Sequence, residues 1–308
     1  MYDIIIIGAG PAGLTAAIYS KIARKNILIF EKECYGGQII KALEIKNYPG
    51  FLKISGEEFS SKLYDQLKNL GQDINYEKVI EIENYKDYKL VKTESGTYKA
   101  KALIIAGGAK NRKLNLPNED RLLGNGVSYC ATCDGMFFKD KVVAIYGGGN
   151  HAIDDALYLS NIANKVYLIY RNKDFKIESI NLEKIKEKDN VEIILNSSII
   201  KLNGTDKLES ITIKNQNDNE KEIKTNGLFI AIGYVPVSEI CKNIIDTDNL
   251  GYIISNEECK TNVEGIFCAG DIRKKSIRQL TTACSDGTIA AINAYKYVNK
   301  INSSNSEN

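Results

Sequence analysis

The chain has 308 residues, 44% hydrophobic and 26% charged, and its 41 basic and 39 acidic side chains leave a formal charge of +2. That length suffices for one large or two medium domains with a substantial core, and the near balance excludes the basic footprint of a nucleic-acid binder and any acidic tail. Seven cysteines spread over this length exclude a secreted disulfide scaffold, which is short and Cys-dense.

The first apolar run, Ile4-Ile5-Ile6-Ile7, is far too short to cross a membrane and lacks the basic flank of a signal peptide. A cytoplasmic protein with no membrane or nucleic-acid partner is expected. Short β-branched runs ending in glycine turns recur along the chain, at 3–7, 102–105, 142–146, 227–232 and 266–269. Continuous apolar strands of this length, interleaved with helical patterns, predict parallel sheets covered on both faces.

Two of these strands open the same phosphate-binding pattern. Gly8-Ala9-Gly10-Pro11-Ala12-Gly13 runs into a helix expected over 14–25 and a strand over 26–30. Gly147-Gly148-Gly149-Asn150-His151-Ala152 runs into a helix over 153–162 and a strand over 165–169. Strand, motif, helix and second strand in that order are far more specific than the motif alone. Glycines there allow a tight turn and close backbone approach to a pyrophosphate resting on the helix N-terminus. Glu31 lies 18 residues after Gly13, where an acid accepts the ribose hydroxyls of a dinucleotide. Tyr170 lies 18 residues after Ala152, with Arg171 beside it, so no acid favours an unphosphorylated ribose in the second copy.

The fold class expected is α/β, with two Rossmann-like dinucleotide-binding domains, the second inserted into the first. The first would comprise 1–112 and 238–308 and the second 113–237, with the Ser/Asn-rich tail 301–308 frayed.

The sharpest chemical feature is Cys130-Ala131-Thr132-Cys133-Asp134-Gly135. Tetrahedral zinc needs four ligands, and the chain has no second CxxC and one histidine, His151, so no metal is expected. A redox dithiol fits better: two cysteines at a helix start close a small disulfide, and the helix dipole stabilises a thiolate. Asp134 would then donate and accept protons; its plainer reading is a turn or N-cap residue. Cys34, Cys241, Cys259, Cys268 and Cys284 read as small apolar residues, and His151 as a turn residue.

Taken with Gly36-Gly37-Gln38, Asn47-Tyr48-Pro49-Gly50, Gly270-Asp271 and Arg278-Gln279, these motifs resemble the low-molecular-weight flavoprotein thioredoxin reductases over essentially the whole chain. The resemblance implies a homodimeric thioredoxin-disulfide reductase with Cys130, Cys133 and Asp134 as catalytic residues. It implies FAD held by Gly8, Gly10, Ala12, Gly13, Glu31, Gly37, Gln38, Asn47, Gly270, Asp271, Arg278 and Gln279. Cys133 would face the flavin and Cys130 attack the thioredoxin disulfide.

The chain departs from its NADPH-dependent members, which carry His-Arg-Arg, three residues and Arg. Here the stretch is Tyr170-Arg171-Asn172-Lys173-Asp174-Phe175-Lys176. An ammonium does not replace a guanidinium that grips phosphate bidentately. Gly147, Gly149, Ala152, Arg171 and Lys176 thus form a degenerate nucleotide site, and NADPH is doubtful. A branch of the family takes electrons from reduced ferredoxin instead, and the departures favour that donor. NADPH-dependent thioredoxin reduction is the alternative, and a non-catalytic flavin-binding redox sensor is the alternative of another class.

Overall fold

The computed structural model describes residues 1–42, 44–176 and 180–306. They divide into two compact units, Met1–Lys110 with Val235–Asn308, and Asn111–Tyr234.

The first unit opens with strand β1 (Tyr2–Ile7). Its side chains alternate between two cores: Ile4 and Ile6 pack with Leu14, Ala16 and Ile29, whereas Ile5 and Ile7 pack with Leu28, Leu103 and Ile272. Both faces are buried, which is why the strand reads as an unbroken apolar run. Helix α1 (Pro11–Ile22) starts earlier than the expected 14–25, inside the glycine motif itself, with Gly10 as N-cap and Pro11 in the first turn. Proline presets the helical φ where no N–H is required.

The chain continues through β2 (Ile27–Glu31), α2 (Gly56–Asn69), β3 (Asn75–Tyr76), β4 (Val79–Asn84), β5 (Lys89–Thr93) and β6 (Thr97–Ile105). Ser55 caps α2 by accepting the Glu58 N–H at 3.0 Å. The strand order is β3-β2-β1-β6-β5-β4, parallel from β3 to β6 and antiparallel beyond it. Strand β7 (Ala109–Asn111) leads out of this unit.

The second unit contains α3 (Glu119–Leu122), β8 (Val127–Ser128), α4 (Ala131–Asp134), β9 (Val142–Tyr146), α5 (Asn150–Ser160), β10 (Lys165–Ile169), α6 (Ile180–Lys186) and β11 (Val191–Ile194). An antiparallel meander follows, β12 (Ser197–Asn203), β13 (Ser210–Asn215) and β14 (Glu220–Lys224), and then β15 (Gly227–Ile230). The parallel sheet runs β11-β10-β9-β15-β8. One face packs on α5 through Ala152, Ile153 and Ala156, and the other on the meander through Leu202, Ile211 and Ile223. Strand β16 (Tyr234–Pro236) leads back and pairs with β7.

The return segment adds β17 (Ile266–Cys268) beside β6 and ends in α7 (Leu280–Ser306). The tail expected to fray is helical through Ser306, while 307 and 308 lie outside the described residues. Ala290, Ala291, Ala294 and Val298 bury one stripe of α7, and Asn302 accepts from Lys101 Nζ at 2.8 Å, so the last turns are tied to the core. Two α/β halves, each built around a strand, glycine turn and helix, make the fold that of paired Rossmann-like domains. Among the described residues no helix is long and apolar enough to cross a membrane.

The glycine turns divide into positions that packing demands and positions it leaves open. A Cβ on Gly13 would lie 1.8 Å from the Gly8 carbonyl oxygen, whereas one on Gly10 meets nothing closer than 3.9 Å. Gly13→Ala should therefore destabilise the apoprotein by about 3 kcal/mol or more, and Gly10→Ala by about 0.5 kcal/mol or less. Chemical denaturation of both variants checks the contrast.

Candidate active site

In the first unit the Gly8-to-Gly13 turn closes on itself through backbone. Gly8 has a φ of +105° and a Cβ there would sit 2.4 Å from the Ala106 oxygen. Gly36 donates its N–H to the Ala9 oxygen at 2.8 Å, and Gly37, with a φ of +58°, brings its backbone against Gly10. The Glu31 carboxylate accepts the N–H groups of Ala9 at 2.9 Å, Lys32 at 2.8 Å and Glu33 at 3.0 Å, which fixes it beside the turn. Asn47 Nδ2 donates to Gln279 Oε1 at 3.2 Å, so two residues far apart in sequence meet. Gln38 is exposed in the 3-10 turn Gly37–Lys41.

Gly270 and Asp271 form a 3-10 turn after β17. Gly270 has a φ of +80°, and a side chain there would meet the Ala12 methyl at 2.9 Å. Asp271 is no cap of α7, which begins at Leu280. Its Oδ1 is buried without a hydrogen-bond partner, and burial pushes its carboxyl up while Lys275 and Arg278 pull it down. Arg278 donates to the carbonyls of Asp271 and Arg273 and stacks on Tyr252 at 4.0 Å.

Sequence reasoning missed Asp286 and Gly287 on α7. Asp286 Oδ2 accepts the buried Gly270 N–H at 3.0 Å, and a Cβ on Gly287 would lie 2.2 Å from the Ala12 oxygen. One turn of α7 therefore holds both the first glycine turn and the Gly270–Asp271 turn. The Asp-Gly pair itself is the one local signal, a glycine inside a long helical pattern that marks close backbone approach.

These residues fit a flavin dinucleotide. Gly10 leaves open space at the helix N-terminus, where a pyrophosphate binds, and the orphan Asp271 oxygen needs a hydroxyl donor.

In the second unit Cys130 and Cys133 form a disulfide with Cα atoms 5.3 Å apart. Cys130 is the N-cap of α4, and both cysteines are partly exposed. Asp134 ends α4 and stands at the N-cap position of the 3-10 turn Gly135–Phe138, with no capping bond from its side chain. It accepts from Ser128 Oγ at 2.6 Å, and the same oxygen accepts the Cys130 N–H at 3.0 Å. Burial pushes the Asp134 carboxyl up, against the Ser128 hydrogen bond that lowers it. A carboxyl so placed keeps its proton to higher pH than a free aspartate does and sits one hydrogen-bonded step from the disulfide turn.

The second glycine turn sits at the mouth of the same unit's sheet. A Cβ on Gly147 would lie 2.3 Å from the Ala231 oxygen, and one on Gly149 would meet nothing within 4 Å. Ala152 is buried behind the turn. Tyr170 covers Gly148, where an added Cβ would fall 2.2 Å from its ring. Phe175 stacks on that ring at 5.2 Å, and Asn172 donates to its hydroxyl at 2.8 Å. Arg171 and Lys176 are exposed. His151 is more than a turn residue: its Nδ1 lies 3.4 Å from buried Asp155, and its Nε2 3.3 Å from the Tyr234 hydroxyl. Burial raises the Asp155 carboxyl to about 6, and His151 opposes that shift.

Cys241, Cys259 and Cys268 are buried as expected of apolar residues, but Cys34 is exposed and Cys284 half-buried. Among the described residues no group of three or more His, Cys, Asp or Glu is placed to hold a metal ion.

The sequence profile of the pyridine nucleotide-disulphide oxidoreductases matches residues 2–287. A thioredoxin reductase of Bacillus subtilis (strain 168) is 41% identical over 303 residues, 98% of this chain and 96% of its own. The crystal structure of thioredoxin reductase from Streptococcus pyogenes MGAS5005 is 39% identical, with a TM-score of 0.92 over 97% of this chain and 99% of its own. A ferredoxin-flavin thioredoxin reductase from Clostridium acetobutylicum is 34% identical, with a TM-score of 0.55 over 98% of both chains. With the paired glycine turns and the Cys130–Cys133 disulfide, these likenesses mean that the chain belongs to the pyridine nucleotide-disulphide oxidoreductase family, on its flavin-dependent thioredoxin reductase branch.

Proposed function

We propose that this chain passes two electrons from NADPH, by way of FAD on the first unit, to the Cys130–Cys133 disulfide and on to the disulfide of thioredoxin. The observation that carries the reading is that disulfide at the start of α4, with Asp134 held at the same turn by Ser128. Bound FAD supplies a two-electron carrier between the nucleotide and the disulfide. Gly8, Gly10, Ala12, Gly13, Glu31, Gly37, Gln38, Asn47, Gly270, Asp271, Arg278 and Gln279 are the residues proposed to hold it.

The protein's own chemistry then balances simply. Two electrons and two protons open the disulfide to the Cys130 and Cys133 thiols, Asp134 moving one proton. The Cys130 thiolate attacks the thioredoxin disulfide, forming a mixed disulfide and releasing one thioredoxin thiol. Cys133 displaces the second thiol, and the Cys130–Cys133 bond closes again. A homodimer in a reducing, cytoplasmic compartment completes the proposal, since a dithiol that must cycle is typical of such a compartment.

NADPH replaces the ferredoxin favoured on sequence grounds for two reasons. The family profile spans both glycine turns, and the B. subtilis and S. pyogenes relatives exceed the ferredoxin-flavin protein in identity. In addition, Gly149 is a glycine where neither its φ of −90° nor any neighbour requires one. An open glycine at a helix N-terminus is explained by a ligand that must approach the backbone. Ferredoxin is the second reading, favoured by Tyr170, whose stacked and hydrogen-bonded ring covers Gly148 with no guanidinium at 172 or 176.

Anaerobic FAD-loaded protein mixed separately with NADPH, NADH and reduced ferredoxin should lose its flavin absorption rapidly with NADPH. Bleaching by ferredoxin alone would replace the donor. Asn172→Arg with Lys176→Arg should lower the KM for NADPH about 10-fold, by restoring charge-assisted contacts. Cys133→Ser should retain FAD and reduce no thioredoxin; full activity in that variant overturns the dithiol route. Asp134→Asn should slow turnover about 100-fold. It should also remove the limb of the pH profile along which activity falls as pH rises through the elevated value of Asp134, measured as kcat against pH.

A further inference from the structure

We propose that Lys275 and Asp286 are positioning residues for the flavin, holding the Gly270–Asp271 turn so that Asp271 Oδ1 is left free for a hydroxyl of the cofactor. The inference rests on the reading that the first unit holds FAD.

Asp286 makes three bonds from the first turns of α7. Its Oδ1 accepts from Arg273 Nη1 at 2.5 Å, and its Oδ2 accepts the Gly270 N–H at 3.0 Å and Lys275 Nζ at 2.9 Å. Arg273 is committed elsewhere as well, donating to Ser255 Oγ at 2.8 Å and to the Asn256 carbonyl at 2.7 Å. It is a structural clamp. Lys275 differs. Its side chain is half-buried, and its ammonium lies 3.7 Å from Asp271 Oδ1 and otherwise reaches only the Thr282 hydroxyl, at 3.4 Å. One cation is thus shared by two carboxylates, of which Asp286 takes the hydrogen bond and Asp271 the charge.

That division leaves Asp271 Oδ1 buried with no hydrogen bond. An ionised carboxylate is an acceptor only, so the missing partner is a donor. Glycine at 270 lets the turn approach Ala12 of the first glycine motif, so Asp271 follows directly on a close contact with the dinucleotide turn. A hydroxyl-bearing chain attached to a pyrophosphate, as in FAD, has the required chemistry. The groups facing Asp271 are Lys275 and Arg278 from its own loop and Asp286 from α7, with Arg273 on the far side of Asp286. Of these, Lys275 lies nearest the free oxygen; without it Asp271 takes up a proton at higher pH and presents a poorer acceptor.

The test is titration of apoprotein with FAD, followed by flavin fluorescence, between about pH 5.5 and about pH 8.5. Lys275→Met should raise the Kd for FAD about 10-fold near neutrality. Its affinity should decline as pH falls, beginning at higher pH than in the wild type. Lys275→Arg should stay within about threefold of wild type, because the charge is kept. In an Asp271→Asn background, Lys275→Met should add nothing to the pH dependence. Wild-type affinity in Lys275→Met at every pH, or equal and pH-independent losses in the Met and Arg variants, overturns the proposal in favour of packing alone. Lys275→Gln carries the same test if the Met variant does not fold, judged by circular dichroism. A wild-type apoprotein that takes up no FAD would instead overturn the cofactor reading itself.

Discussion

Backbone touching backbone is the constraint on which the first unit depends. Helix α1 runs so close to the strand before it that a methyl at Gly13 would penetrate the Gly8 carbonyl, and α7 lies so close to α1 that a methyl at Gly287 would penetrate the Ala12 carbonyl. Three consequences follow from these approaches. The N-terminus of α1 is left with no side chain at Gly10 to cover it. The start of α7 is brought to the same place, carrying Asp286 to the Gly270 N–H. The turn after β17 is drawn in with it, so residues separated by most of the chain share one site.

The second unit repeats the backbone and changes the chemistry. Gly8 and Gly147 occupy the same mechanical position, each 2.3–2.4 Å from an alanine oxygen once a Cβ is imagined. Those glycines would be needed in a turn that bound nothing. Gly10 and Gly149 occupy the open position, where packing asks for no glycine at all. The difference between copies lies at the end of the following strand. Glu31 puts a carboxylate on the Ala9 N–H, whereas Tyr170 lays a ring over Gly148. The first arrangement offers acceptors to a ribose. The second lays an aromatic ring and one phenol over the turn and leaves the backbone at Gly149 open.

Much of this was legible in the sequence because it depends on local pattern. Apolar runs that stop at glycine mark buried strands ending in turns, and the dithiol is read directly from Cys130 and Cys133. The α/β class and the paired Rossmann-like turns follow from the same signals. The helices start earlier than the apolar pattern suggests, because the glycine motif itself opens the helix and Pro11 already has helical geometry. The Ser and Asn content of the tail suggests fraying, yet Val298 and the Lys101–Asn302 contact hold α7 in place. Asp286, Lys275 and the His151–Asp155 pair stayed invisible for one reason. Their meaning lies in which buried group faces them, and composition or spacing carries no trace of that.

The thiols show why one redox route dominates. Burial pushes Cys241 and Cys259 up to about 12 and Cys268 up to about 11, so these thiols stay protonated and unreactive at neutral pH. Cys284 is shifted the same way, with Thr15 and Tyr48 opposing the shift. Cys34 is accessible but has no partner cysteine in sequence or space with which to close a disulfide. Only Cys130 and Cys133 combine a partner, partial exposure, a helix start and a neighbouring carboxyl whose proton affinity burial raises. A chain with seven cysteines can therefore carry electrons at two of them because the fold desolvates or isolates the rest.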